Sequence, residues 1–204
     1  PPQYLAPLCK RGLKSFLILP ILLKKKLAAI ISLGYLKPPS LTDEELGQAR
    51  QLADQVAVAF SNAQLLLELS ELNWGTLRAL ARAIDAKSSW TAGHSERVTR
   101  IALKIGQKLK LSREEIDTLH RGGLLHDIGK LGIPPEILDK PRRLTARETE
   151  IMNRHAQLGA RILEPISAYA GVIPLVLQHH ERYDGTGYPD GLSGKKINLG
   201  ARII

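Results

Sequence analysis

Aromatic residues make up only 4% of this 204-residue sequence, with two phenylalanines and two tryptophans among them. A nucleic-acid interface wants basic residues interleaved with aromatics around the chemical motifs, and the sequence does not supply that arrangement. Cys9 is the only cysteine, so no internal disulfide framework exists, which fits a reducing cytoplasm. The longest apolar run, Ser15 to Leu23, is nine residues and contains Pro20, far short of a bilayer span. No signal-peptide pattern precedes it, and the first residue is not methionine, so the expectation is a segment of a longer protein. Aspartate and glutamate are missing from residues 1–42, although that stretch holds Lys10, Arg11, Lys14, Lys24, Lys25, Lys26 and Lys37.

What is present is ordinary for a globular chain: 44% hydrophobic and 24% charged residues, enough for one domain or one plus part of another. The net charge of +9 comes mostly from the basic N-terminal stretch; the remainder carries 22 basic against 20 acidic residues. A solvated or interdomain basic surface is the expected reading, with no nucleic-acid partner.

Residues 14–37 predict two β-strands joined by a lysine-bearing turn. Thr42 and Glu45 form a capping box that opens a helix. From there apolar residues recur at 52, 56, 59, 63 and 66, then at 77, 80 and 84, a heptad seam interrupted by Ser70 and Asn73. Such a seam predicts a parallel homodimer through this helix. Gly75 is a site for a break or bend. Residues 98, 101, 102, 105 and 109 mark one face of a further helix, and Ser112–Glu115 and Thr145–Glu148 open two more. Residues 182–200, rich in glycine and broken by Pro189, predict a loop. The second section reads as all-α.

The first section resembles the C-terminal part of a GAF domain, a small-ligand sensory module. The resemblance rests on the strand pair with SLG (32–34), the TDEEL helix start and QLADQVAVAFSNAQL (51–65). It implies a partial GAF-like segment at 1–66 and a linker helix at 67–86. The strands and helices that would complete a ligand pocket are not in this sequence.

Six histidines occur, at 94, 120, 126, 155, 179 and 180, one beside Asp127 and two adjacent. Buried without partners, such groups cost about 1–3 kcal/mol each, so something must compensate. If HDIGK (126–130) is helical, His126 and Lys130 share a face and Asp127 sits about 100° round. The Gly122-Gly123 pair just before it suggests close approach by another helix. Imidazole and carboxylate together suit Mn, Fe or Zn rather than Mg or Ca alone. Taken singly, each residue has a plainer reading. His94 can end a loop, His155 can be a satisfied core residue, and Lys130 can be solvated. His120 follows no pattern and is read as structural.

Jointly they are far more specific. Residues 94–204 resemble the HD-GYP branch of the HD-domain phosphohydrolases through GHSERV (93–98), LLHDIGKLGIP (124–134), His155 with GARIL (159–163) and HHERYDGTGYPDGLSG (179–194). The fold class implied is mainly α: an HD-type helical bundle over 87–204, preceded by the partial α/β segment and the long linker helix. The resemblance implies that His94, His126 and Asp127 hold one divalent metal and that Asp127, His155, His179 and His180 hold a second. Fe or Mn is expected, with Zn, Ni and Mg as alternatives. Asp127 and Lys130 are the implied catalytic residues, Lys130 facing the substrate phosphate. Gly187, Tyr188 and Pro189 form the loop that shapes the site and can contact a diguanylate cyclase partner.

The implied activity is metal-dependent hydrolysis of cyclic di-GMP to pGpG or GMP, in a cytoplasmic bacterial signalling protein. Alternatives are a degenerate cyclic-dinucleotide sensor and a phosphodiesterase for cyclic GMP-AMP. Two departures qualify the match. Some relatives take a third metal through a glutamate where this sequence has Trp90, so two metals are expected. The family also places an aspartate ligand after the GARI segment, beyond Ile204, so residues 1–204 alone are expected to turn over little substrate.

Overall fold

The computed structural model describes residues 12–23, 26–88 and 92–204; Cys9, Lys10, Arg11, the turn residues Lys24 and Lys25, and Trp90 lie outside the described residues. The chain divides into two compact units, Pro1–Leu72 and Asn73–Ile204. The fold is mainly α, with one two-stranded sheet among the described residues.

In the first unit β1 (Ser15–Leu23) pairs antiparallel with β2 (Lys26–Tyr35), with Ser15 opposite Tyr35 and a register shift between Ile21 and Leu22. Alternate side chains take opposite faces of a strand, so Leu19 and Ile21 are buried while Ile18 and Leu22 are exposed. The buried face packs on Ala53, flanked by Ala49 and Ala57, small residues that let the sheet lie close to α1 (Asp43–Ala86). The capping box opens α1: the Thr42 N–H donates to Glu45 Oε2 at 2.7 Å and the Glu45 N–H to Thr42 Oγ1 at 3.2 Å.

α1 runs unbroken through Gly75, where a break was open. A Cβ there would meet nothing, so the glycine lies on an open face and costs only about 1 kcal/mol relative to alanine. The heptad seam divides. Leu52, Val56, Ala59, Ala63 and Leu66 are exposed, whereas Leu77 and Ile84 are buried in the core of the second unit, with Leu80 packed against it.

The second unit is helical: α2 (His94–Lys108), α3 (Arg113–Leu125), α4 (Pro135–Leu138), α5 (Ala146–Asn153), α6 (His155–Leu163), α7 (Ile173–Gln178) and α8 (Leu199–Ile203). Three short 3₁₀ helices, Ile128–Gly132, Ser167–Tyr169 and Gly194–Lys196, join them. Its core gathers Leu77, Ala81 and Ile84 of α1 with Leu124, Leu125, Leu163, Val172 and Val176. Both expected capping boxes form, at Ser112 and Thr145. Among the described residues no helix is long and apolar enough to cross a membrane.

The buried face of α2 shares only Ala102 with the one the spacing predicts. Ser95, Thr99, Ala102 and Gly106 are buried, while Ile101, Ile105 and Leu109 are exposed. Close helix approach selects small residues here. A Cβ on Gly123 of α3 would crowd Thr99, and one on Gly122 would strike Leu175 of α7.

Candidate metal centre

α3 stops at Leu125 with His126 as its C-cap, and Asp127 begins the 3₁₀ turn Ile128–Gly132. His126 and Lys130 therefore do not share one α-helical face, as the spacing alone predicts. Residues three apart eclipse in the tighter 3₁₀ turn, so Lys130 meets Asp127 instead, Nζ to Oδ2 at 2.6 Å. Gly129 makes a second contact feasible: a Cβ there would overlap the His155 carbonyl, so only glycine lets α6 lie against this turn. That approach brings His155 to Asp127.

Three histidines are oriented by one device. Each donates Nδ1–H to the carbonyl three residues earlier at 2.8 Å: His126 to Gly123, His155 to Met152, His179 to Val176. A carbonyl oxygen only accepts, so Nδ1 carries the proton and Nε2 is aimed at the site.

Asp127 stands between two imidazole groups. Its Oδ2 lies 3.2 Å from His126 Nε2 and 3.7 Å from His94 Nε2. Its Oδ1 lies 3.6 Å from His155 Nε2 and 4.0 Å from His179 Nε2. His94, His126 and Asp127 thus form one cluster of ligand atoms, and Asp127, His155, His179 and His180 another, each with donor atoms within 4.8 Å of one another. The side chains of Asp127, His126, His155 and His179 are all buried.

Burial favours the neutral ring at His94, His155, His179 and His180. Burial, reinforced by the neighbouring His126 and His180 rings, pushes His179 down to about 2. Burial and His155 push His180 down to about 4; burial also lowers His94 and His155. Burial alone would raise Asp127, but the adjacent His126 side chain and the Lys130 ammonium hold it well below the usual carboxylate range.

Neutral imidazoles with their Nε2 lone pairs converging on an ionised carboxylate are a ligand set in want of cations. His155 Nε2 and His179 Nε2 are 3.2 Å apart with both Nδ1–H groups already donated. Reversing either tautomer would leave its Nδ1 facing a carbonyl oxygen without a proton. A divalent ion removes the conflict, and this donor set fits one.

Gly187, Tyr188 and Pro189 fold over one side of the cluster. The Tyr188 ring stacks on His180, with centroids 4.8 Å apart, and its N–H donates to the His180 carbonyl at 3.3 Å. Burial and the negative Asp127 raise its phenol, keeping it a donor. Gly187 brings its backbone against Glu181 and Arg182, and the Tyr188–Pro189 bond is cis. Glu181 accepts from the Asp190 N–H at 2.7 Å and the Leu192 N–H at 2.9 Å, tying the loop to the residue after His180. His120 stands apart, stacked on Trp74 at 4.2 Å.

The sequence-predicted residues His94, His126, Asp127, Lys130, His155, His179 and His180 come together in one place. Three further supports carry no local sequence signal: Glu181, Asp85 in the last turn of α1, and Lys87 just after it. Asp85 accepts from the Ser95 N–H at 3.1 Å and Oγ–H at 2.7 Å, and Lys87 donates to the carbonyls of Lys130, Leu131 and Ile133 at 2.7–2.9 Å. Periodicity signals burial, not hydrogen bonding across tens of residues, so nothing local marked them.

Residues 78–204 match the family model for the HD domain, and residues 1–61 that for the GAF domain. The chain is 37% identical over 195 residues to the cyclic di-GMP phosphodiesterase response regulator RpfG of Xanthomonas campestris pv. campestris, covering 95% of this chain and 50% of that protein. It is 44% identical over 126 residues to 3'3'-cGAMP-specific phosphodiesterase 3 of Vibrio cholerae, covering 62% and 27%. It is 35% identical over 145 residues to a cyclic di-GMP phosphodiesterase of Thermotoga maritima, covering 69% and 39%. The chain spans about half, or less, of the length of these relatives.

Proposed function

The chain belongs to the HD-domain family, and we propose that it is the catalytic part of a metal-dependent phosphodiesterase for cyclic di-GMP, of the HD-GYP branch. One observation carries this reading: a single buried carboxylate, Asp127, presents one oxygen to the His94–His126 pair and the other to the His155–His179 pair. One carboxylate shared between two imidazole groups suits two neighbouring divalent ions, for which the donor set allows Mn, Fe or Zn and the family resemblance favours Fe or Mn. Bound there, such ions activate water and offset charge on a phosphodiester.

The chain's own groups do the rest. His94, His126 and Asp127 would hold one ion; Asp127, His155, His179 and His180 would hold the other. Lys130 places an ammonium at the edge of the cluster, where it offsets charge growing on the phosphoryl oxygens as the ribose 3′-oxygen leaves. Tyr188 keeps its hydroxyl proton, so it can donate to substrate but not act as a base. Its stacking on His180 narrows the mouth of the site.

The exposed half of the α1 seam, Leu52 to Leu66, suits a second copy of the chain in parallel. The half-buried loop at Gly187, Tyr188 and Pro189 is the surface that the family resemblance offers to a diguanylate cyclase partner. The reading places the protein in the cytoplasm, with an HD-GYP module from about residue 87 and a GAF-like sensory segment before residue 66.

Cleavage of 3′3′-cyclic GMP-AMP is the second reading, favoured by the 44% identity to an enzyme named for it. The test is turnover of both dinucleotides by the metal-loaded protein as its cell makes it, whatever flanks residues 1–204. Linear pGpG or GMP from cyclic di-GMP supports the proposal. Faster cleavage of the hybrid dinucleotide selects the second reading, and binding of either without cleavage makes the protein a sensor.

A further inference from the structure

The last turn of α1 touches the site from two sides without supplying a ligand. Asp85 is buried, and its carboxylate takes the Ser95 N–H at 3.1 Å and the Ser95 hydroxyl at 2.7 Å. Ser95 is the second residue of α2, and His94 is the first. The N-cap of α2, Gly93, has no side chain to satisfy those first donors. Asp85 satisfies one from another helix, and in doing so fixes the turn that carries His94.

Lys87 grips the other side. Its ammonium donates to the carbonyls of Lys130, Leu131 and Ile133 at 2.8, 2.7 and 2.9 Å. These carbonyls end the 3₁₀ turn that Asp127 begins, and that of Lys130 also accepts the Ile133 N–H at 3.1 Å. The three bonds use all three donors of an ammonium. Ser88 completes the grip, its hydroxyl donating to Asp139 at 2.8 Å. Four residues earlier in this turn, Ile84 is locked into the core, so the donors and acceptors are presented from a fixed position.

We propose that Asp85 and Lys87 are positioning residues, and that the placing of the end of α1 sets the distance between His94 and the His126–Asp127 turn. A shift of this turn along the helix would pull Ser95 and the 3₁₀ carbonyls differently, since two bonds run to Ser95 and three to the carbonyls. The same cluster of ligands could then be closed or opened from the helix. The inference rests on the reading of the cluster as a two-ion centre.

The experiment is Mn²⁺ titration of the chain, reading the number of ions bound and the Kd of each by electron paramagnetic resonance, with helical content followed in parallel. His94→Ala and His179→Ala identify which ion is which. Asp85→Asn is expected to weaken the ion assigned to His94 about tenfold or more, the range typical of residues that orient ligands, and to leave the His179 ion in place. Ser95→Ala, which removes one hydroxyl and no charge, should act on the same ion to a smaller extent. Lys87→Met should weaken both ions, because Asp127 serves both, and Lys87→Arg should restore most of the loss. If Asp85→Asn proves unstable, Ser95→Ala still decides. Unchanged affinity for the His94 ion in a folded Ser95→Ala chain, or equal loss of both ions in Asp85→Asn, overturns the positioning role. A wild-type chain that binds no Mn²⁺ would instead overturn the metal reading beneath it.

Discussion

His155 Nε2 and His179 Nε2 face one another at 3.2 Å, and each ring has committed its Nδ1 proton to a backbone carbonyl. Neither nitrogen has a proton to offer the other. The pair is a standing repulsion in the metal-free protein and a preformed half-site for an ion. Adding Mn²⁺ should therefore raise the melting temperature, and chelation should reverse the rise, as expected for a ligand that binds only the folded state. The cluster with four donor residues should fill before the cluster with three. Asp127→Asn should weaken both ions. Retention of both at wild-type affinity would show that the carboxylate is not shared.

The same burial dictates a pH response. His179 ionises near 6.5 in an unfolded chain but is pushed down to about 2 in the folded one. Above about pH 6.5 neither state is charged and there is no penalty. Below it the unfolded chain takes a proton that the native ring refuses, so stability falls by about 1.4 kcal/mol per pH unit. His180, pushed down to about 4, acts in the same sense, more weakly because the residue is exposed. Metal-free protein should lose melting temperature steadily on acidification, and His179→Gln should flatten that slope. An unchanged slope in the variant would assign the effect elsewhere.

These contacts also show what a sequence can disclose. The capping boxes at Thr42, Ser112 and Thr145, the strand pair and the histidine set were legible, because each depends on residues close in sequence or on a recurring motif. The helix end at His126 was not. Nothing in HDIGK forbids an α-helix, and what replaces it with a 3₁₀ turn is packing against α6 at Gly129. The buried face of α2 was misjudged for a related reason. Aliphatic spacing marks hydrophobicity, whereas the close approach of Gly123 to Thr99 buries the face that also carries Ser95. Asp85 and Lys87 were invisible as supports because their partners lie ten and more than forty residues away.

Lys130 separates electrostatic from ligand roles. Its Nζ pairs with Asp127 Oδ2, and an ammonium offers no lone pair to a metal. Lys130→Ala should lower turnover about a hundredfold or more while leaving metal content close to wild type. A variant stripped of metal, with normal turnover per ion retained, would contradict this assignment.

His120 provides the internal control. It stacks on Trp74, and the Arg121 guanidinium lies 5.4 Å from the Trp74 ring and 5.9 Å from that of Tyr169. This is a packing cluster away from the metal ligands. Trp74→Ala should destabilise the second unit by about 3 kcal/mol, the lower end of the range for such truncations because the ring is half-buried. Metal stoichiometry should not change in the folded variant. Loss of one ion at full helical content would bring His120 back into consideration as a functional residue.

The divided seam of α1 gives the last prediction. Leu77 and Ile84 are already spent on the core of the second unit, so they cannot also face a partner helix. Leu52, Val56, Ala59, Ala63 and Leu66 remain exposed at steps of four and three, the spacing that places side chains along one side of a two-stranded coil. If a second copy covers them, a charge at a central position must disrupt the pair. Val56→Glu or Leu66→Glu should convert dimer to monomer in sedimentation, with helical content and metal binding of the second unit retained. Leu77→Ala should do the opposite, destabilising the second unit by about 2–5 kcal/mol and lowering its melting temperature without changing the oligomeric state. A wild-type chain that stays monomeric at high concentration, or dimers indifferent to both glutamates, would remove α1 as the interface.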